Sequence, residues 1–190
     1  MIHRLFFLLL LLVLQACVSS EPPPQTFYYV LEEKPLVYEW EQDSQEAMIK
    51  IAGLPSYLLQ PNLVMLEDNH QLYYANYHKW ANDVRENIQH VLLADLNSET
   101  NQTNFVKSCK NCIEISIFIL SFYPNENGTV FLNGYFEVNS DVSNIAGKTH
   151  LQRQSFAVTA PIMTPNYKGA VSAMRECVNK LSKLIVKGKV

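Results

Sequence analysis

The residues with most chemistry to offer are the cysteines Cys17, Cys109, Cys112 and Cys177. Cys17 closes Leu14-Gln15-Ala16-Cys17, which follows an apolar run from Leu5 to Leu14 and a start carrying Arg4. A charged n-region, an apolar h-region, a small residue and then a cysteine make a bacterial lipoprotein signal. Arg4 holds the cytoplasmic side, the apolar run enters the bilayer, and the small Ala16 side chain fits a peptidase groove. The Cys17 thiol then takes a diacylglyceryl group through a thioether. Cleavage before it frees an amine for a further chain such as palmitate, and several acyl chains on one residue anchor a protein firmly. A spanning helix is the competing use, but the run is about half of the ~20 residues that crossing needs. Residues 1–16 are therefore expected to be a signal peptide, with Cys17 the lipidated terminus.

With Cys17 acylated, Cys109, Cys112 and Cys177 remain, an odd number. An oxidising compartment then predicts one disulfide and one free thiol, with the pairing open. Cys109-Lys110-Asn111-Cys112 has the spacing of thiol oxidoreductases, where the motif opens a helix whose dipole lowers the thiol pKa. Here it runs into Ile113-Glu114-Ile115-Ser116-Ile117, which alternates like a strand, so a structural disulfide is the expectation. A zinc site lacks a second cysteine pair or paired histidines to complete four ligands. His70, His78, His90 and His150 show no ligand spacing, and His78 reads as a solvated residue at a helix start. Glu32-Glu33 and Glu67-Asp68 are strand-end neighbours that point to opposite faces, so neither forms an acid/base dyad. No nucleophile elbow, zinc-protease helix, P-loop or dinucleotide loop is present. These residues predict no enzyme, no metal and no cofactor.

The elements around them belong to one globular domain. Hydrophobic residues are 48% and charged residues 17% of the chain, a balance that excludes disorder. Acidic residues dominate Glu21 to Glu99 and basic ones Lys148 to Val190, an asymmetry that suits a dipolar surface or simply a solvated helix face. No basic cluster interleaves with aromatics, so nucleic acid is not an expected partner. Residues 17–25, with Pro22-Pro23-Pro24, read as a lipidated cysteine and an extended tether. Residues 26–190 form the domain.

Within it, Thr26 to Leu31 is the first expected strand and Ala47 to Leu54 the second, across an acidic connection from Leu36 to Glu46 that carries Trp40. Asn62 to Glu67 and Gln71 to Ala75 make a hairpin. A helix is predicted from Lys79 to Leu96, with Trp80, Val84, Ile88, Val91 and Leu92 as its apolar stripe. Asn97 to Lys110 reads as a polar loop. Ile113 to Phe122 reads as a central strand, apolar on both faces after Phe118. Thr129 to Val138 pairs back as a hairpin, a polar loop covers Asn139 to Lys148, and His150 to Val158 is a further strand. Thr164-Pro165 opens a last helix whose seam is Tyr167, Val171, Met174, Val178, Leu181 and Ile185. The prediction is an α+β, two-layer domain with a mostly antiparallel or mixed sheet and two long helices packed on one face.

Two stretches carry a resemblance. Ile49-Lys50-Ile51-Ala52-Gly53 followed by Leu54-Pro55-Ser56-Tyr57-Leu58-Leu59-Gln60-Pro61 and Asn62-Leu63-Val64 resembles the strand, L-P-x-Y-L-x-x-P, strand segment of ABC-transport auxiliary lipoproteins. That family includes the paraquat-inducible lipoprotein C group. His70-Gln71-Leu72, Trp80-Ala81 and Val91-Leu92 are similar to its next segment, and the remaining strands and the last helix keep its order. The acidic connection around Trp40 and the Cys109/Cys112 pair depart from it. Pro55 and Pro61 bracket a turn unable to join a sheet ladder. Tyr57, Leu58 and Leu59 then either fold under to cap the core or form a contact surface for a partner.

The resemblance implies a non-enzymatic lipoprotein anchored in the outer membrane and facing the periplasm. It implies an auxiliary, docking role in a mammalian-cell-entry (MCE) type system that moves lipid between membranes. The partners would be an MCE-domain periplasmic protein and its membrane permease, with a lipid ligand and homo-oligomeric assembly left open. Val18, where an Asp retains enteric-type lipoproteins at the inner membrane, agrees with the outer one. A lipid-binding periplasmic carrier, suggested by the two apolar faces of Ile113 to Phe122, is the alternative. A scaffolding lipoprotein for envelope or cell-wall integrity is another.

Overall fold

The computed structural model describes residues 22–32, 44–67, 70–139 and 151–188. Cys17, most of the tether, Trp40 with its acidic connection, the 140–150 loop and His150 lie outside the described residues. Along the chain run β1 (Phe27–Tyr29), β2 (Gln45–Gly53), β3 (Asn62–Glu67), β4 (Gln71–Trp80) and α1 (Val84–Glu99). They are followed by β5 (Thr103–Val106), β6 (Ile113–Pro124), β7 (Thr129–Asn139), β8 (Leu151–Pro161) and α2 (Tyr167–Lys187).

The α+β architecture is as expected, and its strands divide between two mixed sheets. The larger has the order β5-β2-β6-β7-β8, with β2 parallel to both β5 and β6 and the β6-β7-β8 meander antiparallel. The smaller has the order β1-β4-β3, β1 parallel and β3 antiparallel to β4.

Alternation builds the larger sheet. Ile115, Ile117 and Ile119 of β6 point inward and are at most 2% exposed, while Glu114, Ser116 and Phe118 point out. The phase then breaks. Ile119 pairs with Gly134 and Ser121 with Asn133, so Leu120 is a bulge without a cross-strand partner and is 61% exposed. Phe122 returns inward beyond it. This bulge is the physical reason β6 reads as apolar on both faces. Gly134 lies against it, and a Cβ there would sit 2.0 Å from the Phe118 carbonyl oxygen, so only glycine fits without backbone movement.

Both helices cover the inward face. Val171, Met174, Val178, Leu181 and Ile185 of α2 and Ile88, Val91, Leu92 and Leu96 of α1 are buried in one core with the sheet. Each fully buried aliphatic side chain contributes about 2 kcal/mol. Between the helices, Arg175 Nη1 and Nη2 donate to Asp95 Oδ2 and Oδ1 at 2.6 and 2.5 Å. The Asp95 side chain is 8% and the Arg175 side chain 19% exposed, so this fork is largely withdrawn from water.

β5 ends opposite Met48, leaving the next stretch of β2 without a strand on that side. Side chains of α1 take its place, Gln89 Nε2 donating to the Ile49 carbonyl and Arg85 to that of Ile51. β5 itself lies within the expected polar loop. Asn97 explains it: its side-chain amide donates to the Phe105 carbonyl and accepts from the Phe105 N–H, a strand-like pairing from the end of α1.

Both helix starts differ from expectation. α1 begins at Val84, capped by Asp83, whose carboxylate accepts from the Arg85 N–H. Lys79 and Trp80 instead complete β4. α2 is capped by Asn166, which accepts from the Gly169 N–H, in place of Thr164.

Asp95→Ala should cost about 3 kcal/mol, because it strands a mostly buried guanidinium. A urea midpoint unchanged from the parent would contradict the role given to this pair. Gly134→Ala should lower the unfolding free energy by about 1–3 kcal/mol, read as a lower urea midpoint, through forced backbone movement.

Candidate interaction site

The L-P-x-Y-L-x-x-P segment carries the chain from one sheet to the other. Pro55 starts a 3-10 turn over Ser56–Leu59, closed by the Leu58 N–H donating to the Pro55 carbonyl at 3.0 Å. Its three candidate side chains separate. Leu58 is 3% exposed and joins the core, Leu59 is 55% exposed, and Tyr57 lies between, its ring tilted against Tyr123.

β2 ends at Gly53, opposite Phe118, whereas β6 continues to Pro124. The Phe122 N–H therefore has no β2 neighbour and donates to the Tyr57 hydroxyl at 3.0 Å. Burial pushes the Tyr57 phenol above its ordinary pKa, and the Phe122 N–H eases it back. Tyr57 thus works as a side-chain substitute for a strand, while the Leu59 side chain stays exposed.

The smaller sheet holds an aromatic cluster that spans most of the chain. His78 stacks on Tyr167, at the first turn of α2, with ring centroids 3.7 Å apart, and on Phe27 at 5.3 Å. Its Nδ1 lies 2.7 Å from the Tyr29 hydroxyl. Tyr167 and Tyr73 share a hydrogen bond, and burial first, then Tyr73, raises the Tyr167 pKa. His78 therefore sits on a strand, packed among rings, instead of solvated at a helix start. Three extra residues of β4 make room for it: Asn62 pairs with Lys79 and Val64 with Tyr74, and Asn62 Nδ2 caps the displaced Ala75 carbonyl at 2.8 Å. Beside the cluster, a cavity of about 310 Å³ opens between Met65, Asn125, Ile162, Pro165 and Tyr167.

The run from Tyr73 to Trp80, rich in aromatics, was the available signal that β4 continues to the end. No spacing links Phe27, His78 and Tyr167, which meet only through the β1–β4 register and the placement of α2.

The described cysteines stand apart from this cluster. Cys109 and Cys112 form a disulfide at the entry to β6. Cys177 is a buried free thiol on α2, its Sγ 3.8 Å from the Val130 carbonyl oxygen. Burial pushes its pKa from 9.0 to about 12, so it stays a protonated, unreactive core side chain. Of the other histidines, His90 Nε2 faces Glu32 at 3.5 Å. Among the described residues no three His, Cys, Asp or Glu side chains gather as a metal-binding group. No described helix is long and apolar enough to cross a membrane.

A family model described as the ABC-type transport auxiliary lipoprotein component matches residues 29–186. No curated protein matches the chain. Among solved structures, the chain is similar to a crystal structure of an uncharacterised protein at TM-score 0.75 and 17% identity, over 88% of this chain and 100% of that one. It is also similar to protein XCC0632 from Xanthomonas campestris at TM-score 0.61 and 10% identity, over 77% of this chain and 84% of that one. At such identities these likenesses concern the fold alone.

His78→Ala should loosen β1 from α2 and speed amide exchange in Phe27–Tyr29 roughly tenfold, the effect of losing one strong aromatic stack. Unchanged exchange there would show that the stack holds nothing. In a Cys17→Ser background, thiol reagents at pH 8 should label nothing in the folded protein and Cys177 once it is denatured. Because the folded-state pKa is raised, the stability tied to this thiol is complete below pH 9.0 and is lost as pH climbs toward about 12.

Proposed function

The chain belongs to the ABC-type transport auxiliary lipoprotein family, and from that we propose a docking component of an MCE-type intermembrane lipid-transport system. It is anchored by acylated Cys17 in the outer membrane and faces the periplasm. Residues 17–25 tether it, and the domain after them receives the periplasmic MCE-domain protein whose permease lies in the inner membrane. The observation that carries the reading is the family match following directly on Leu14-Gln15-Ala16-Cys17 and the proline tether. Residue by residue, the domain supports contact over turnover. The Tyr57 hydroxyl serves a strand edge, the Cys177 thiol lies in the core, and Leu59 stands out where two sheets meet.

No enzyme activity is part of this proposal. Position is what the protein contributes.

Affinity isolation of the acylated protein from native membranes should recover an MCE-domain protein and its permease. Recovery should fall on Leu59→Asp while the unfolding free energy stays within about 0.5 kcal/mol of the parent, as expected of an exposed substitution. Isolation without such a partner, or of a cell-wall synthase in its place, would remove the docking role. Fractionation with the inner membrane would correct the location.

A further inference from the structure

The face of the smaller sheet turned away from Tyr167 carries a second set of tyrosines. Register sets Tyr28 beside Lys79, opposite in sense to the Phe27–His78 pair, and alternation adds Tyr77. The pairings of Asn62 with Lys79 and Val64 with Tyr74 bring Tyr74 to the same face beyond the β4 bulge. Tyr28, Tyr77 and Tyr74 are 66%, 44% and 38% exposed. Lys79 is the charged residue among them, and none of these positions holds a carboxylate.

That composition suits a bilayer interface. A tyrosine ring sits at the acyl boundary with its hydroxyl among the headgroups, and a lysine lays its stem on apolar surface while its ammonium meets phosphate. Chain length argues for the same occupant. Phe27 follows Cys17 by ten residues. Three of these are consecutive prolines, and an extended tether of about 3.1 Å per residue reaches roughly 31 Å. Pro22 to Gln25 are exposed and outside any helix or strand, so the tether enters β1 directly. β1 is thus held within about one hydrocarbon-core thickness of the anchor, and Tyr28 is the most exposed aromatic on it.

We propose that the face formed by Tyr28, Tyr74 and Tyr77 lies on the lipid bilayer, with the rings in the headgroup layer and Lys79 toward lipid phosphate. This rests on the lipidation of Cys17 in the proposed function. It gives the domain a fixed orientation on the membrane, where a tether alone would let it swing.

The test uses the full chain, expressed with its signal and reconstituted into phosphatidylethanolamine/phosphatidylglycerol vesicles. Tyr77→Trp is made in a Trp40→Phe background and read against that background, whose remaining Trp80 is buried, and against Phe131→Trp on the larger sheet in the same background. The expected result is a blue-shifted Tyr77→Trp emission, quenched by lipids brominated near the headgroup and protected from acrylamide, with neither effect in Phe131→Trp. Tyr28→Trp serves as the readout should Tyr77→Trp lose the parental unfolding midpoint. Tryptophan that stays open to acrylamide in protein shown by mass to be acylated overturns the proposal alone. Protection that appears only when a membrane extract is added also overturns it, assigning the face to a protein. A mass without acyl chains on Cys17 removes the lipidation reading and takes this proposal with it.

Discussion

β6 outruns its neighbour. β2 stops at Gly53 beside Phe118, and the far half of β6 is left with one paired edge inside a domain that buries it. Unpaired backbone in that position is costly, so the chain leaving β2 must serve the edge it has abandoned. Pro55 turns it, Leu58 enters the core, and the Tyr57 hydroxyl takes the Phe122 N–H. β3 then runs on toward the end of β6, where Leu66 bridges Asn125 and its carbonyl accepts from the Glu126 N–H. The smaller sheet exists where it does because this edge has to be covered.

The same rule recurs on the other side of β2. β5 is too short to pair beyond Met48, and Gln89 and Arg85 reach down from α1 to the carbonyls it leaves. Fixing α1 in this way sets Asp95 where Arg175 can grip it with both nitrogens. The polar contacts of the core are therefore consequences of strand length. They specify how the helices sit, while the apolar seams supply most of the stabilisation.

Much of this was legible in the residues. The seam from Tyr167 to Ile185 named the buried face of α2, and the alternation from Ile113 to Ile117 named a central strand. The L-P-x-Y-L-x-x-P segment marked the turn between sheets. What escaped was set by tertiary pairing. Trp80 has helical spacing to Val84, yet it and Lys79 complete β4, because β1 pairs beside them. Thr103 to Val106 looks like polar loop until the Asn97 amide pairs with Phe105. His78 lacked any neighbour in sequence that would have revealed its stack. The bulge at Leu120 also altered the meaning of the apolar run in β6, which reflects a shift of phase in place of two covered faces.

His78 matters most for how load enters the domain. In the proposed function the protein is held at Cys17, and any pull from a docked partner returns through the tether to β1. An edge strand of three residues is weak by itself. Its hold comes from what flanks it: Phe27 and Tyr29 engage His78, His78 stacks on Tyr167, and Leu31 is 1% exposed in the core. Tyr167 opens α2, whose seam crosses β6, β7 and β8. A force on the anchor is thereby passed within a few residues to the longest described helix and the central strands, where the buried core lies. Under the proposed function, in which position is the contribution, that connection matters as much as the contact surface, since a docked partner would be held only as firmly as β1 is held to α2.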